Sequence, residues 1–76
     1  MNKRKRERLG EATTLLRQAE NIVENVMDSE QDSMDNMAEF FEGTERYQKL
    51  EDAVDNLDSA IKSIGEAINY IEAASD

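Results

Sequence analysis

Apolar side chains recur along the chain at alternating spacings of three and four residues, the pattern of α-helices that pack along one stripe. The first series consists of Leu9, Ala12, Leu16, Ala19, Val23 and Val26. The second consists of Tyr47, Leu50, Val54, Leu57, Ile61, Ile64, Ile68 and Ile71. We call them seam 1 and seam 2. Neither contains a charged residue, so the pattern predicts two amphipathic helices.

The strict repeat of seam 1 breaks at Glu30 and Ser33. The apolar stripe continues instead through Met27, Met34, Met37 and Phe41. Such a shift is expected when a helix keeps about 3.6 residues per turn through an irregular repeat. Methionines at helical spacing more often fill a core than form an adaptable binding surface, so we predict that helix 1 continues past the break.

The segment around Gly43 carries the signals of a turn between two helices. Gly43 is free to adopt a positive φ angle, Thr44 is a good N-cap, and Glu45 suits the first turn of a helix. We therefore predict one domain over 1–76, with a basic arm at 1–8, helix 1 at 9–36, a turn at 37–43 and helix 2 at 44–74.

Two helices of similar predicted length, about 45 to 50 Å each, favour an all-α fold, namely an antiparallel two-helix hairpin of the coiled-coil type. A turn centred near residue 40 brings together residues whose numbers sum to about 80. We therefore expect Leu9 beside Ile71 and Val23 beside Leu57.

Apolar side chains beside the seams stay uncovered in a lone hairpin. They are Leu15 and Ile22 on helix 1 and a row of alanines at 53, 60, 67 and 74 on helix 2. A chain of 76 residues also buries too little apolar surface to be comfortably stable as two helices. We expect a homodimer that forms a four-helix bundle, and a heterologous helical partner would use the same flank.

Composition removes most kinds of active site. The chain contains no Cys and no His, so it has neither thiolate ligands nor the commonest general base. A narrow helical rod also offers no pocket for paired catalytic carboxylates. We predict no enzyme activity and no cofactor. No apolar run is long enough to cross a membrane, and we expect a cytoplasmic protein.

Charge is distributed unevenly along the chain, whose net charge is −9. Residues 1–8 carry a net charge of +4 and residues 9–76 a net charge of −13. The basic residues of the arm are Lys3, Arg4, Lys5, Arg6 and Arg8. Three interpretations of the arm are open. It attracts phosphates or the acidic surface of a neighbouring copy, it pairs with Glu72 and Asp76, or it is a frayed helix terminus. It lacks interleaved aromatic residues, so specific nucleic-acid binding is not predicted.

One acidic stretch imitates the ligand spacing of an EF-hand calcium loop. It places Asp28, Glu30, Asp32 and Glu39 at relative positions 1, 3, 5 and 12. The position that requires glycine holds Ser33, and the segment favours helix. We therefore predict no metal site and interpret the stretch as a solvated helix end.

Aromatic residues at the hairpin end are the local candidates for partner binding. Phe40 and Phe41 are adjacent and cannot both point inward from one helix, so one of them caps the bundle end or meets a partner. Tyr47 lies at the same end. With Leu15 and Ile22, these residues form the predicted partner-binding set.

The stretches EQDSMDNM and GTERYQKLEDAVDNLDSAI resemble a set of small proteins of unknown function from Firmicute genomes, phages and prophages. That set usually has Pro after the Asn-Met pair, where this chain has Ala38. The resemblance implies a helical hairpin and a phage context, and it carries no activity over to this chain.

Two functions follow as predictions. The first is a non-enzymatic, self-associating protein-interaction module, acting as a phage or prophage accessory factor on a host or phage protein. The second is an acidic decoy whose carboxylates, eleven of them within residues 28–58, stand in for the phosphates of a nucleic acid.

Overall fold

The protein is a hairpin of two long α-helices that pack against each other. The structure, a computed structural model, describes residues 1–41 and 43–76, and of residues 38–41 it describes the backbone only. Helix α1 spans Lys3–Phe41 and helix α2 spans Glu45–Ser75. The molecule measures 58 × 15 × 13 Å, and the described residues form no strand. The predicted all-α hairpin is therefore confirmed.

Helix α1 begins earlier than predicted, because Asn2 caps it. Asn2 Oδ1 accepts a hydrogen bond from the backbone N–H of Lys5 (2.8 Å), and the Asn2 carbonyl accepts one from Arg6 (3.1 Å). These bonds satisfy backbone groups that a helix start leaves open and so offset the repulsion between the helix dipole and the cations. The predicted start at residue 9 is wrong, since the basic residues belong to the helix from Lys3 onward.

The same helix also ends later than predicted. It continues to Phe41, beyond the predicted end at residue 36, so most of the predicted turn at 37–43 is helical. Ala38 stands where Pro would have ended the helix, and alanine is the strongest helix former. The predicted turn was therefore placed too early in the chain.

The residues that start α2 behave as predicted. Gly43 has a φ angle of 86°. Thr44 is the N-cap: its hydroxyl accepts from the backbone N–H of Tyr47 (3.2 Å), and its carbonyl accepts from that of Gln48 (3.0 Å). Glu45 lies in the first turn, where a negative charge is favourable.

The register between the helices differs from the predicted one. The Arg17 guanidinium pairs with the Glu72 carboxylate, and Glu20 Oε2 lies 3.7 Å from the position of a methyl group added at Gly65. The residue numbers of these two pairs sum to 89 and 85, instead of about 80. Leu16 therefore lies near the level of Ile71, and the predicted pairs Leu9–Ile71 and Val23–Leu57 are wrong.

The register error amounts to about one heptad, for a physical reason. Both seams repeat every seven residues, so sliding one helix by seven residues still places apolar side chains opposite apolar side chains. Only the position of the turn distinguishes the two registers. Because α1 runs to Phe41, the turn lies later in the chain and selects the shifted register.

The break in seam 1 falls earlier than the sequence indicates. Val26 is 47% exposed, whereas Met27 is half-buried and Met34 only 7% exposed. Val26 therefore leaves the seam, and Met27 and Met34 replace it on the inner face. The helix keeps close to 3.6 residues per turn there, which moves its inner face by one residue relative to a strict heptad.

Substitution of two glycines by alanine is expected to have opposite effects. Gly43→Ala forces a side chain into the left-handed region and should lower the free energy of unfolding by about 1–2 kcal/mol. Gly10→Ala lies within α1, with no atom within 4 Å of the added methyl group, and should raise it by about 0.5–1 kcal/mol. Urea unfolding followed by circular dichroism measures both. Stabilisation by Gly43→Ala would contradict the turn geometry.

Candidate interaction surfaces

Over residues 15–29 of α1 and 53–74 of α2, one long side of the hairpin presents no charged side chain. We define the uncharged flank as Leu15, Ile22 and Val26 on α1 together with Ala53, Ala60, Ala67 and Ala74 on α2. Leu15 and Ile22 are 64% and 63% exposed. Between the alanines lie Asn56 and Ser63, which are polar but uncharged. In a chain with 36% charged residues, this flank carries three of the five large apolar side chains that the described residues leave exposed.

Both halves of this flank lie on the same side of the molecule. At 100° per residue, Leu15 and Ile22 point to one side of the direction that joins the helix axes, and so does the alanine row of the antiparallel partner. The contacts Arg17–Glu72 and Glu20–Gly65 occupy the opposite side. The two helices thus assemble one continuous surface from separate halves of the chain.

The opposite side, which we call the charged flank, is closed by polar contacts. Arg17 and Glu72 join the two helices, and Lys62 pairs with Asp58 (2.8 Å) one turn apart on α2. The hydrogen bond and the negative charge of Asp58 raise the pKa of Lys62 above its usual value. All these side chains remain largely exposed and stabilise the fold little. They make this side a solvated face.

The basic residues project beyond the last turn of α2. In the observed register Ser75 lies near the level of residues 10–14, so the helical segment 3–8 has no neighbouring helix. The side chains of Lys3, Arg4, Lys5, Arg6 and Arg8 are exposed, and none forms an ion pair with another described residue. Glu72, one of the two partners considered for them, pairs with Arg17. An open depression beside this segment is lined by Met1, Lys5, Arg8 and Leu9.

The acidic stretch does not form a calcium loop. Residues 28–39 lie within α1, which spreads Asp28, Glu30 and Asp32 around the helix axis. Among the side chains that the structure describes, no three acidic ones approach closely enough to hold a metal ion. On the same part of the chain, Asp28, Asp32 and Asp35 are exposed to solvent.

Of the three aromatic residues predicted to bind a partner at the hairpin end, the structure describes the side chain of one. The side chains of Phe40 and Phe41 lie outside the described part. Tyr47 is half-buried at the first position of seam 2, one turn into α2. It thus contributes partly to the interhelical packing.

Tyr70 is an exposed aromatic residue that sequence reasoning missed. It is 77% exposed, more than any other large apolar side chain that the structure describes, and lies at the edge of the uncharged flank between Ala67 and Ala74. Its position outside the heptad seam was the available signal. A large aromatic ring at a position that faces away from the hairpin partner is typical of a second contact surface.

Comparisons of this chain with known protein families, with curated proteins and with solved structures give no match. Of the two described helices, neither contains an apolar stretch of the length that spanning a bilayer requires.

Proposed function

We propose that this chain is a non-enzymatic, cytoplasmic protein-interaction module that self-associates through the uncharged flank and forms a four-helix bundle as a homodimer. The observation that carries the proposal is the continuous uncharged surface assembled by α1 and α2. In this function, the hairpin end with Phe40, Phe41 and Tyr47 binds a host or phage protein. The resemblance to small phage and prophage proteins supports a role as an accessory factor.

The accessible surface area of the hairpin supports the proposal that a second layer of helices covers it. It amounts to 5791 Å², whereas a compact monomer of this mass exposes about 4,700 Å². The surplus of roughly 1,000 Å² is close to the roughly 800 Å² that each partner buries in a standard interface. Within the described residues, only Met34 and Ile68 are buried apolar side chains. A second hairpin against the flank would supply the core that one hairpin lacks.

Two carboxylates placed on the uncharged flank are expected to separate the dimer into monomers. We predict that the unmodified protein has twice the chain mass of 8.7 kDa in light scattering, and that the double variant Leu15→Glu, Ile22→Glu is a helical monomer. Four large apolar side chains leave the interface, two from each copy, so the dissociation constant should rise about 10,000-fold.

The control variant is Thr14→Glu, Asn21→Glu, which adds the same charge one residue earlier on each turn. Thr14 and Asn21 are exposed and face away from both α2 and the uncharged flank, so this variant should remain dimeric. A monomeric unmodified protein at all concentrations, or separation of the dimer by both variants, would refute the proposal.

The exposed carboxylates favour one further candidate, the acidic decoy. Asp28, Asp32, Asp35, Asp52 and Asp55 are all exposed on the half of the rod that carries the turn. If the chain occupies a nucleic-acid-binding site, its affinity for that partner should fall steeply between low and physiological salt and survive Phe40→Ala. The apolar module should show little salt dependence for its target and lose binding with Phe40→Ala.

A further inference from the structure

The charges along the rod separate into two regions, and this separation specifies how two copies align. Residues 1–8, at the projecting end of α1, carry a net charge of +4. Residues 28–58, which form the half of the hairpin that contains the turn, contain eleven acidic and two basic residues, a net charge of −9. In a rod 58 Å long these regions lie near opposite ends.

We propose that the two hairpins of the dimer lie antiparallel to each other, related by a two-fold axis near the level of Ile22 and Gly65, so that the basic end of each copy lies against the acidic end of the other. The proposal rests on the self-association proposed above and adds its orientation.

Charge complementarity favours this arrangement over the parallel one. In a parallel dimer the two regions of charge −9 lie side by side at the separation of packed helices, about 10 Å, which is close to the Debye length at physiological salt. They then repel each other, and so do the two basic ends. The antiparallel dimer replaces both repulsions by two attractions related by symmetry.

The exposed basic segment lies beside the acidic end of the second copy in this arrangement. With the two-fold axis near Ile22, residues 3–8 of one copy lie at the level of residues 36–41 of the other. The cations Arg4 and Arg8 lie on the same side of α1 as Leu15 and therefore point towards the second copy. Near their level, Asp35 and Glu51 of that copy lie on its charged flank and Glu45 on its outer side, so the attraction acts between the net charges of the two ends and not through paired side chains.

The apolar contacts are compatible with the same axis. In an antiparallel two-fold dimer that joins the uncharged flanks, α1 packs on α1 of the second copy and α2 on its α2. Ile22 then meets its own symmetry mate, and Leu15 lies at the level of Ser29. This combination of a large and a small side chain fills the interface without overpacking.

Disulfide trapping tests the orientation directly, because the chain has no cysteine of its own. We expect Leu15→Cys mixed with Ser29→Cys to give the mixed disulfide on mild oxidation, and Ile22→Cys to give its homodimer. In a parallel dimer α1 packs on α2 of the second copy, and Leu15→Cys mixed with Ala74→Cys would be linked instead. Ser59→Cys, exposed on the far side of α2, is the control and should give no disulfide. Mass spectrometry distinguishes the products.

The outcomes separate this inference from the proposed function. A monomer in light scattering would remove both. A dimer linked through residues 15 and 74, or a dimer in which none of the flank cysteines reacts, would leave self-association standing and overturn the antiparallel arrangement.

Salt and charge give a second readout that does not depend on cysteines. Raising NaCl from about 50 to about 500 mM should weaken an antiparallel dimer and strengthen a parallel one, since salt screens attraction and repulsion alike. Arg4→Gln with Arg8→Gln should raise the dissociation constant about tenfold, whereas Lys62→Gln, on the charged flank, should leave it unchanged. Tighter association of the arginine variant would contradict the proposal.

Discussion

Replacing Ile68 with alanine is expected to lower the free energy of unfolding by about 2–5 kcal/mol, the largest loss that a single truncation should cause in this chain. Ile68 is 4% exposed, less than any other described side chain that forms the core. A domain of this size has a total stability of only about 4–11 kcal/mol, so the midpoint of thermal unfolding should fall by at least about 10 °C. Thermal unfolding followed by circular dichroism measures the change.

The matched control for Ile68→Ala is Ile22→Ala. The same side chain is removed from a helix in both variants, so the change in helix propensity cancels and the difference reports burial. At concentrations where the protein is monomeric, Ile22, which is 63% exposed, should lose less than about 1 kcal/mol. Equal losses for the two variants would show that seam 2 is not the inner face of α2.

A carboxylate at position 34 is expected to destabilise the hairpin by at least about 4 kcal/mol, because it combines the loss of a buried side chain with the burial of an unpaired charge. Met34 is 7% exposed. The loss should shrink on acidification, since burial raises the pKa of the new carboxyl group and protonation then removes its charge. Urea unfolding at neutral and acidic pH measures both effects.

The control for Met34→Asp is Ser33→Asp, on the adjacent residue. A strict heptad would point Ser33 inward and place Met34 at the edge of the contact with α2, whereas the structure exposes Ser33 and buries Met34. Ser33→Asp should therefore change the free energy of unfolding by no more than about 0.5 kcal/mol. The reverse ranking of the two variants would mean that α1 keeps the strict repeat beyond Val23.

Local signals predicted the fold class and the start of α2. The period of the apolar residues identifies two helices and their inner faces, since a helix places every third or fourth residue on one side whatever surrounds it. Gly43 and Thr44 adopt the φ angle and the capping role that their side chains favour. The separation of basic and acidic residues is likewise a property of the chain alone.

The helix bounds were harder to predict because the signals competed. The cations after Asn2 disfavour a helix start, yet the hydrogen bonds of Asn2 to Lys5 and Arg6 begin α1 at Lys3. At the other end, the helix-forming residues before Gly43 carry α1 through most of the predicted turn. Each of these errors in the bounds of α1 spans only a few residues, but the error at its end placed the predicted turn too early.

The sequence by itself determined that this protein is a pair of amphipathic helices, with Leu15, Ile22 and an alanine row left outside the seams. Only the tertiary structure decided which heptad of α1 faces which heptad of α2, because a seven-residue slide keeps apolar side chains opposite each other along most of both seams, and the turn that selects the register lies later than the local signals indicate. That choice leaves the basic segment projecting beyond α2. It also joins the two apolar halves into one flank, because antiparallel packing places them on the same side of the molecule.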